Sequence, residues 1–139
     1  MKITLCGSMN FVEDIKSAIR ELTEMGHEVF HPEPLVSEES YAEEHSREKL
    51  LLDKADFTRG HFKRIEDSEG VLIINKEKKG IKGYIGSNTL MELTVAFYLG
   101  KQIFFLHPFG EDHPHYEELY GLDAEILEGD LTKIKVPKK

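Results

Sequence analysis

The sequence has little of what marks disulfide-rich, membrane-spanning or secreted proteins. It contains a single cysteine, Cys6, which excludes an internal disulfide and a cysteine-rich zinc cluster and suits a reducing compartment. No apolar run approaches the roughly 20 residues that a membrane-spanning helix needs. The first residues also lack the apolar stretch of a signal peptide. We therefore expect a cytoplasmic protein that does not associate with membranes.

Basic side chains are scarce relative to acidic ones. The chain has 18 Lys and Arg against 26 Asp and Glu, a formal net charge of −8. Because so acidic a protein gains little from counterion release, DNA and RNA are not expected as partners. A small phosphorylated metabolite remains compatible with this charge, since backbone amides at a helix N-terminus can bind one phosphate group locally.

The chain does have enough apolar residues for one core, with 40% hydrophobic residues in a length of 139. We expect a single domain over residues 1–139. Apolar runs predict strands at 3–6, 28–30, 71–74, 103–106 and, weakly, 125–127. Helical spacing and cap residues predict helices at 11–25, 38–56, 57–68 (with a break near Gly60), 87–99 and 116–120. This alternation predicts a doubly wound, three-layer α/β domain, flavodoxin- or Rossmann-like, with a mainly parallel sheet.

Ligands of such sheets bind beyond the carboxyl ends of the strands, where segments 7–10, 75–87 and 107–115 should meet. In the second segment, Gly80, Gly83 and Gly86 precede Ser87-Asn88-Thr89 at a helix start. The spacing fits neither the dinucleotide fingerprint nor a P-loop, so no nicotinamide, flavin or other cofactor is expected. Such a loop can present N–H groups to an anion or a sugar hydroxyl, and it can equally be an ordinary flexible loop.

Glu92 lies one turn into a predicted helix that is apolar on all sides, which is typical of a buried helix. A carboxylate there loses hydration and its pKa tends to rise, as suits a nucleophile or a general acid/base. The alternative is structural. Thr89-Leu90-Met91-Glu92 matches a capping box, in which Glu92 would bond to an amide at the helix N-terminus. The pattern alone slightly favours the capping box.

Several of these segments together resemble one protein family. The stretch Gly83-Tyr84-Ile85-Gly86-Ser87-Asn88-Thr89-Leu90-Met91-Glu92-Leu93, with residues 96–103 after it, is similar to the nucleoside 2-deoxyribosyltransferase-like superfamily. This superfamily includes the 2'-deoxynucleoside 5'-phosphate N-hydrolases. Leu5-Cys6-Gly7-Ser8-Met9 and residues 68–75 resemble the corresponding family segments. The resemblance covers most of residues 1–107 and is that of a divergent member.

The resemblance implies cleavage of the N-glycosidic bond between a nucleobase and a (deoxy)ribose, with Glu92 as the nucleophile. Water would complete hydrolysis, or a second base would complete transfer. It also implies a homodimer and a nucleotide or nucleoside as the partner. The expected catalytic residues are Glu92 and His61, and the expected substrate-binding residues are Gly7, Ser8, Met9, Asn75, Tyr84, Gly86, Ser87 and Asn88. Tyr84 would stack on a nucleobase or, alternatively, hold its loop on the core.

The chain departs from the family at His61, which lies where well-studied members have an aspartate. A histidine there would be an acid/base with a pKa near neutrality, or a structural side chain. No metal site is expected, because His107, His113 and His115 lie on a loop broken by prolines. Two other functions remain open: a nucleotide-binding module without catalysis, and a scaffold domain that binds no nucleotide.

Overall fold

The computed structural model describes residues 1–135, which form helices around a five-stranded sheet. The strands are β1 (Lys2–Gly7), β2 (Glu28–Phe30), β3 (Gly70–Ile74), β4 (Gln102–Phe105) and β5 (Glu125–Ile126). Their order is β2-β1-β3-β4-β5, the 2-1-3-4-5 order of flavodoxin-like folds. All the strand pairs are parallel. The predicted doubly wound α/β fold is confirmed, and its sheet is wholly rather than mainly parallel.

Helices cover both faces of the sheet. They are α1 (Val12–Glu24), α2 (Glu38–Glu44), α3 (Arg47–Glu66), α4 (Ser87–Tyr98) and α5 (Tyr116–Tyr120), with 3-10 turns at Met9–Phe11 and Leu131–Lys133. Side chains alternate along each strand, so Leu5 joins the core beneath α1. Its neighbour Cys6 points to the opposite face and joins the core beneath α3 and α4. This alternation directs the Cys6 side chain toward the two helices that carry His61 and Glu92.

Two helix boundaries differ from the prediction. Helix α1 begins at Val12 rather than at residue 11, because the Ser8 hydroxyl accepts a hydrogen bond from the Asn10 amide and a 3-10 turn over Met9–Phe11 forms first. The predicted break near Gly60 is also wrong, since α3 runs through Gly60 without interruption. The break lies before Arg47, because the Ser46 hydroxyl accepts from the Lys49 amide and starts a new helix there.

The apolar sequence of α4 predicted a helix buried on all sides, and this prediction is wrong. Its Thr89, Leu93 and Ala96 are buried, whereas Met91 is 48% and Tyr98 is 87% exposed. One face therefore packs on the sheet and the other is apolar but open to solvent. None of the helices described is long and apolar enough to cross a bilayer.

Candidate active site

A cavity of about 480 Å³ opens at the carboxyl edge of the sheet, beside the ends of β1 and β2. Helices α2 and α3 form one wall, and the loop before α4 with the first turns of α4 forms the other. This location agrees with the rule that ligands of parallel sheets bind beyond the strand ends. The lining includes Gly7, Ser8, Met9, Glu33, Tyr41, Lys54, His61, Lys78, Tyr84, Gly86, Ser87, Asn88 and Glu92.

Three side chains from three elements meet at the floor of the cavity: His61 of α3 and Glu92 of α4 line it, and the fully buried Cys6 of β1 lies beneath them. The Cys6 Sγ lies 3.4 Å from the His61 Nε2, and this Nε2 lies 3.7 Å from Oε2 of Glu92. One ligand-type atom from each of the three residues lies within 4.8 Å of the other two. We call Cys6, His61 and Glu92 the floor triad.

Burial dominates the electrostatics of the floor triad. The Glu92 side chain is 16% exposed, and burial raises its pKa from 4.5 to about 8, although a hydrogen bond from the Cys6 thiol opposes the rise. Burial and the neighbouring Glu92 charge also hold the pKa of Cys6 well above its usual value. At neutral pH the free pocket therefore contains a thiol and a mostly protonated carboxyl group.

Arg64 controls the tautomer of His61. Its Nη1 lies 3.5 Å from the His61 Nδ1, and since a guanidinium can only donate, Nδ1 accepts and the ring proton is on Nε2. Arg64 is held in turn by Glu33, whose Oε2 is 3.0 Å from Nη2. Burial, with help from the Arg64 charge, lowers the pKa of His61 to about 4. His61 is thus neutral at pH 7 and directs an N–H toward Cys6 and Glu92.

The end of the cavity near β1 is suited to an anion. The Lys78 ammonium lies 3.4 Å from the Ser8 hydroxyl and 5.0 Å from the centre of the Tyr84 ring. Among residues 1–135, no carboxylate lies within ion-pair distance of Lys78. Helix α4 also starts here, and its N-cap, Gly86, provides no side-chain cap. Amides at the start of α4 are therefore free to bind a negatively charged group.

Two glycines keep this edge compact. A Cβ on Gly7 would lie 2.8 Å from the Ile74 carbonyl oxygen, because β1 and β3 run closely side by side. Gly83 has a φ of +66°, and a Cβ there would lie 2.6 Å from the carbonyl oxygen of Pro108. The loop after β4 thus packs against the outer side of the loop that contains Gly83, and it does not line the cavity. Of the three segments expected to meet, two form the site.

The structure brings together most of the residues singled out in the sequence. The cavity lining contains both expected catalytic residues and the expected binding residues Gly7, Ser8, Met9, Tyr84, Gly86, Ser87 and Asn88. Asn75 lies elsewhere. Its Nδ2 donates to the His107 carbonyl at 2.7 Å and its Oδ1 accepts from the His107 amide at 2.8 Å. Both ends of its amide are therefore occupied in joining the ends of β3 and β4.

The capping-box interpretation of Glu92 is wrong, since α4 has no side-chain cap and Glu92 lies on the cavity floor. The near-neutral pKa expected of His61 is wrong as well, because its ring is only 3% exposed. In the described part of the chain, His107, His113 and His115 form no metal-ligand cluster. His113 instead accepts from the His115 amide at 3.0 Å.

Lys78, Arg64 and the role of Cys6 were not predicted from the sequence. Lys78 is one of several lysines in a charged loop, and nothing in the pattern separates it from Lys76 and Lys79. For Arg64 a signal existed, since it lies three residues after His61 on the same predicted helix and therefore on the same face. Strand alternation also indicated that Cys6 faces away from Leu5, but not which helices would cover it.

Comparison with protein-family models gives no match, and comparison with curated proteins gives none. Among solved structures, a 2-deoxyribosyltransferase from Bacillus psychrosaccharolyticus is similar, with a TM-score of 0.57 and 21% identity over 80% of this chain and 75% of that one. A CMP N-glycosidase from Clostridium botulinum has a TM-score of 0.48 and 15% identity, over 91% and 85% of the two chains. At the level of the fold, the first of these confirms the resemblance found in the sequence: the chain has the fold of a 2-deoxyribosyltransferase.

Proposed function

We propose that the protein cleaves the N-glycosidic bond of a (deoxy)nucleoside 5'-monophosphate, with Glu92 as the nucleophile. Water would accept the sugar in hydrolysis, and a second base would accept it in transfer. The observation that carries the proposal is the position of Glu92. Its carboxyl group lies on the floor of a cavity, is nearly removed from solvent, and has a pKa raised to about 8. Perturbed carboxyl groups in clefts are typical of catalytic sites.

The reaction requires ionised Glu92, which is the minor form of the free protein at pH 7, so the rate should rise as the pH approaches 8. A carboxylate oxygen would form a bond to the anomeric carbon while the bond to the nucleobase nitrogen breaks, and the departing base would take a proton from solvent. Attack by water or by a second base on the anomeric carbon would then release the sugar and regenerate the Glu92 carboxylate. His61 would act as a positioning residue, because its Nε2–H faces Cys6 and Glu92 and its lowered pKa leaves the ring neutral at pH 7, with no imidazolium proton to donate.

The anion-binding end of the cavity favours a 5'-phosphate over a free nucleoside. Lys78, the Ser8 hydroxyl and the first amides of α4 lie around one end, while Glu92 lies on the floor. A phosphate there would place the sugar between the two, and the half-buried Tyr84 ring would provide an apolar surface. The likeness to a 2-deoxyribosyltransferase in fold supports a nucleoside-type substrate.

We also propose that the protein is a cytoplasmic homodimer, the oligomeric state that the resemblance implies. The open face of α4 is compatible with a second copy, since Phe97 is 51% and Tyr98 is 87% exposed and such exposed aromatic side chains are enriched at interfaces. Sedimentation of the wild type and of Tyr98→Glu distinguishes a dimer held by this face from a monomer. If the wild type and Tyr98→Glu both sediment as monomers, the homodimer is contradicted.

The test is a chromatographic assay for free nucleobase with ribo- and deoxyribonucleoside 5'-monophosphates and the matching nucleosides, each with and without a second base. We expect base release by the wild type and a loss of at least about 10⁴-fold in Glu92→Gln, as when other nucleophiles are removed. Glu13→Gln is the matched control, because its side chain is 83% exposed and lies outside the cavity lining.

Equal release by Glu92→Gln and the wild type would contradict the assignment of the nucleophile. No release from any substrate, together with a nucleotide-dependent rise in melting temperature, would contradict catalysis and support a nucleotide-binding module. The absence of both would leave a scaffold domain. Sugar transferred to the added base, rather than to water, would identify the transferase form of the proposal.

A further inference from the structure

The floor triad offers three kinds of ligand atom that a thiophilic metal ion prefers. Sulfur, imidazole nitrogen and carboxylate oxygen are the protein ligands of Zn²⁺. They come from Cys6, His61 and Glu92, which lie on three different elements of the same core layer. Two of the three, His61 and Glu92, also line the cavity, so water can supply a fourth ligand from there.

Two of the three distances in the floor triad are close to those of a zinc site, and the third, between Cys6 and Glu92, is within 4.8 Å. With Zn–S of about 2.3 Å and Zn–N or Zn–O of about 2.0–2.1 Å, tetrahedral geometry separates sulfur from nitrogen by about 3.5 Å, and nitrogen from oxygen by about 3.4 Å. The corresponding distances are 3.4 Å between Cys6 Sγ and His61 Nε2 and 3.7 Å between that Nε2 and the Glu92 Oε2. Side-chain shifts of at most about 1 Å, chiefly between Cys6 and Glu92, would bring the three atoms onto one ion.

We propose that Cys6, His61 and Glu92 form a binding site for Zn²⁺ or a similar thiophilic divalent cation. Binding would displace one proton from the Cys6 thiol and one from the Glu92 carboxyl group to solvent. The resulting thiolate and carboxylate would neutralise the two positive charges of the ion, so that no net charge is buried. No sequence pattern indicates this site, because its three ligands lie far apart along the chain.

Arg64 opposes the metal-bound state. A metal on the His61 Nε2 requires the ring proton on Nδ1, which the Arg64 guanidinium faces at 3.5 Å as another donor. Glutamine at position 64 can instead accept this proton through its side-chain carbonyl. Arg64→Gln is therefore expected to increase the affinity for Zn²⁺. Because metal-bound Glu92 cannot attack a sugar, the site goes beyond the proposed catalytic function and would switch it off.

The test is titration of the metal-free protein with Co²⁺, followed by displacement with Zn²⁺. Since Cys6 is the one cysteine in the chain, a thiolate-to-cobalt charge-transfer band can arise only at this site. We expect that band together with tetrahedral d–d bands, and loss of both on adding Zn²⁺. The spectrum requires no substrate, so its result is independent of whether the glycosidic reaction occurs.

Competition with a chromophoric chelator then measures Zn²⁺ affinity in the variants. We expect a loss of at least about 100-fold in Cys6→Ser and in Glu92→Gln, more than for residues that only support metal ligands. His115→Gln, outside the cavity lining, should bind like the wild type, and Arg64→Gln more tightly. Cobalt bound without a charge-transfer band, or no cobalt bound, would overturn the proposal. Should Cys6→Ser fail to fold, the cobalt spectra of the wild type and Arg64→Gln still decide it.

Discussion

Two carboxyl groups near the same cavity have pKa values shifted in opposite directions. Asp53, on the α3 wall, has its pKa lowered by hydrogen bonds from the Tyr41 hydroxyl, at 2.6 Å, and from Lys49. Glu92, on the floor, has its pKa raised to about 8 by burial. We call Tyr41, Lys49 and Asp53, with the Glu38–Lys54 ion pair, the rim cluster. The rim cluster is solvated and paired, whereas the floor triad is largely buried and, among residues 1–135, no lysine or arginine pairs with its carboxyl group.

The rim cluster and the floor triad have different roles: the rim cluster stabilises the fold, and the floor triad has the features of a functional site. Rim charges are satisfied by neighbours on α2 and α3, so they hold the two helices together at little cost. The Glu92 carboxyl group is held in a place that disfavours its own ionisation, a cost to stability that is typical of functional sites.

Glu92→Gln is expected to remove a fall in stability at alkaline pH. Between pH 4.5 and 6.5 the folded chain holds a proton on Glu92 that the unfolded chain has lost. The unfolded chain in turn holds a proton on His61, whose folded pKa is about 4. The two differences in bound protons cancel, so these groups leave the free energy of unfolding independent of pH in this range. Between pH 6.5 and 8 only the folded chain holds the extra proton. Stability should therefore fall by about 2 kcal/mol in the wild type as pH rises through this window.

Denaturant unfolding at pH 6.5 and pH 8 checks this prediction. Glu92→Gln should show no such fall, while Glu13→Gln, whose carboxyl group is exposed, should retain it. A fall of the same size in Glu92→Gln would mean that another group, and not the buried carboxyl group, carries the pH dependence.

His61→Phe should lower kcat by about 10–100-fold, because the His61 Nε2–H lies 3.7 Å from the Glu92 Oε2 and would tighten to a charge-assisted hydrogen bond once Glu92 ionises. Phenylalanine fills a similar volume but cannot donate to Cys6 or Glu92. His61→Gln keeps a donor and should recover part of the loss, which a purely structural role of the ring would not produce. Steady-state kinetics with the preferred nucleotide would measure both. Equal rates in the two variants would contradict the positioning role.

The sequence predicted the fold and the main catalytic candidate for identifiable physical reasons. Apolar β-branched runs such as Val71–Ile74, bounded by turn residues, are typical of buried parallel strands, so the sheet was predictable. Glu92 was recognisable because a carboxylate in an apolar helix is anomalous. The environment of Glu92 was not predictable, because the choice between a cap and a cavity floor depends on Cys6 and His61, which only folding brings near.

Lys78→Gln is expected to raise KM for a nucleoside 5'-monophosphate by about 10-fold and to leave KM for the free nucleoside unchanged. Its ammonium lies beside Ser8 at the anion-binding end of the cavity, where a charge-assisted contact to phosphate is worth about 1.5–3 kcal/mol. Lys76→Gln is the matched control, since Lys76 pairs with Asp14 outside the lining. Equal increases for both substrates would place the phosphate elsewhere.

Lys54→Gln should have the smallest effect, because it removes an ion pair of the rim cluster and leaves the floor triad unchanged. The Lys54 Nζ lies 2.9 Å from the Glu38 Oε1, but the two side chains are 37% and 50% exposed. Such pairs contribute less than about 1 kcal/mol and are screened by salt. Denaturant unfolding should therefore show a loss below about 1 kcal/mol that shrinks further at high ionic strength. A larger loss that salt does not reduce would show that Glu38, which also accepts from Asn88 on α4, ties the two walls of the cavity together, and the rim would then share the energetic role of the floor.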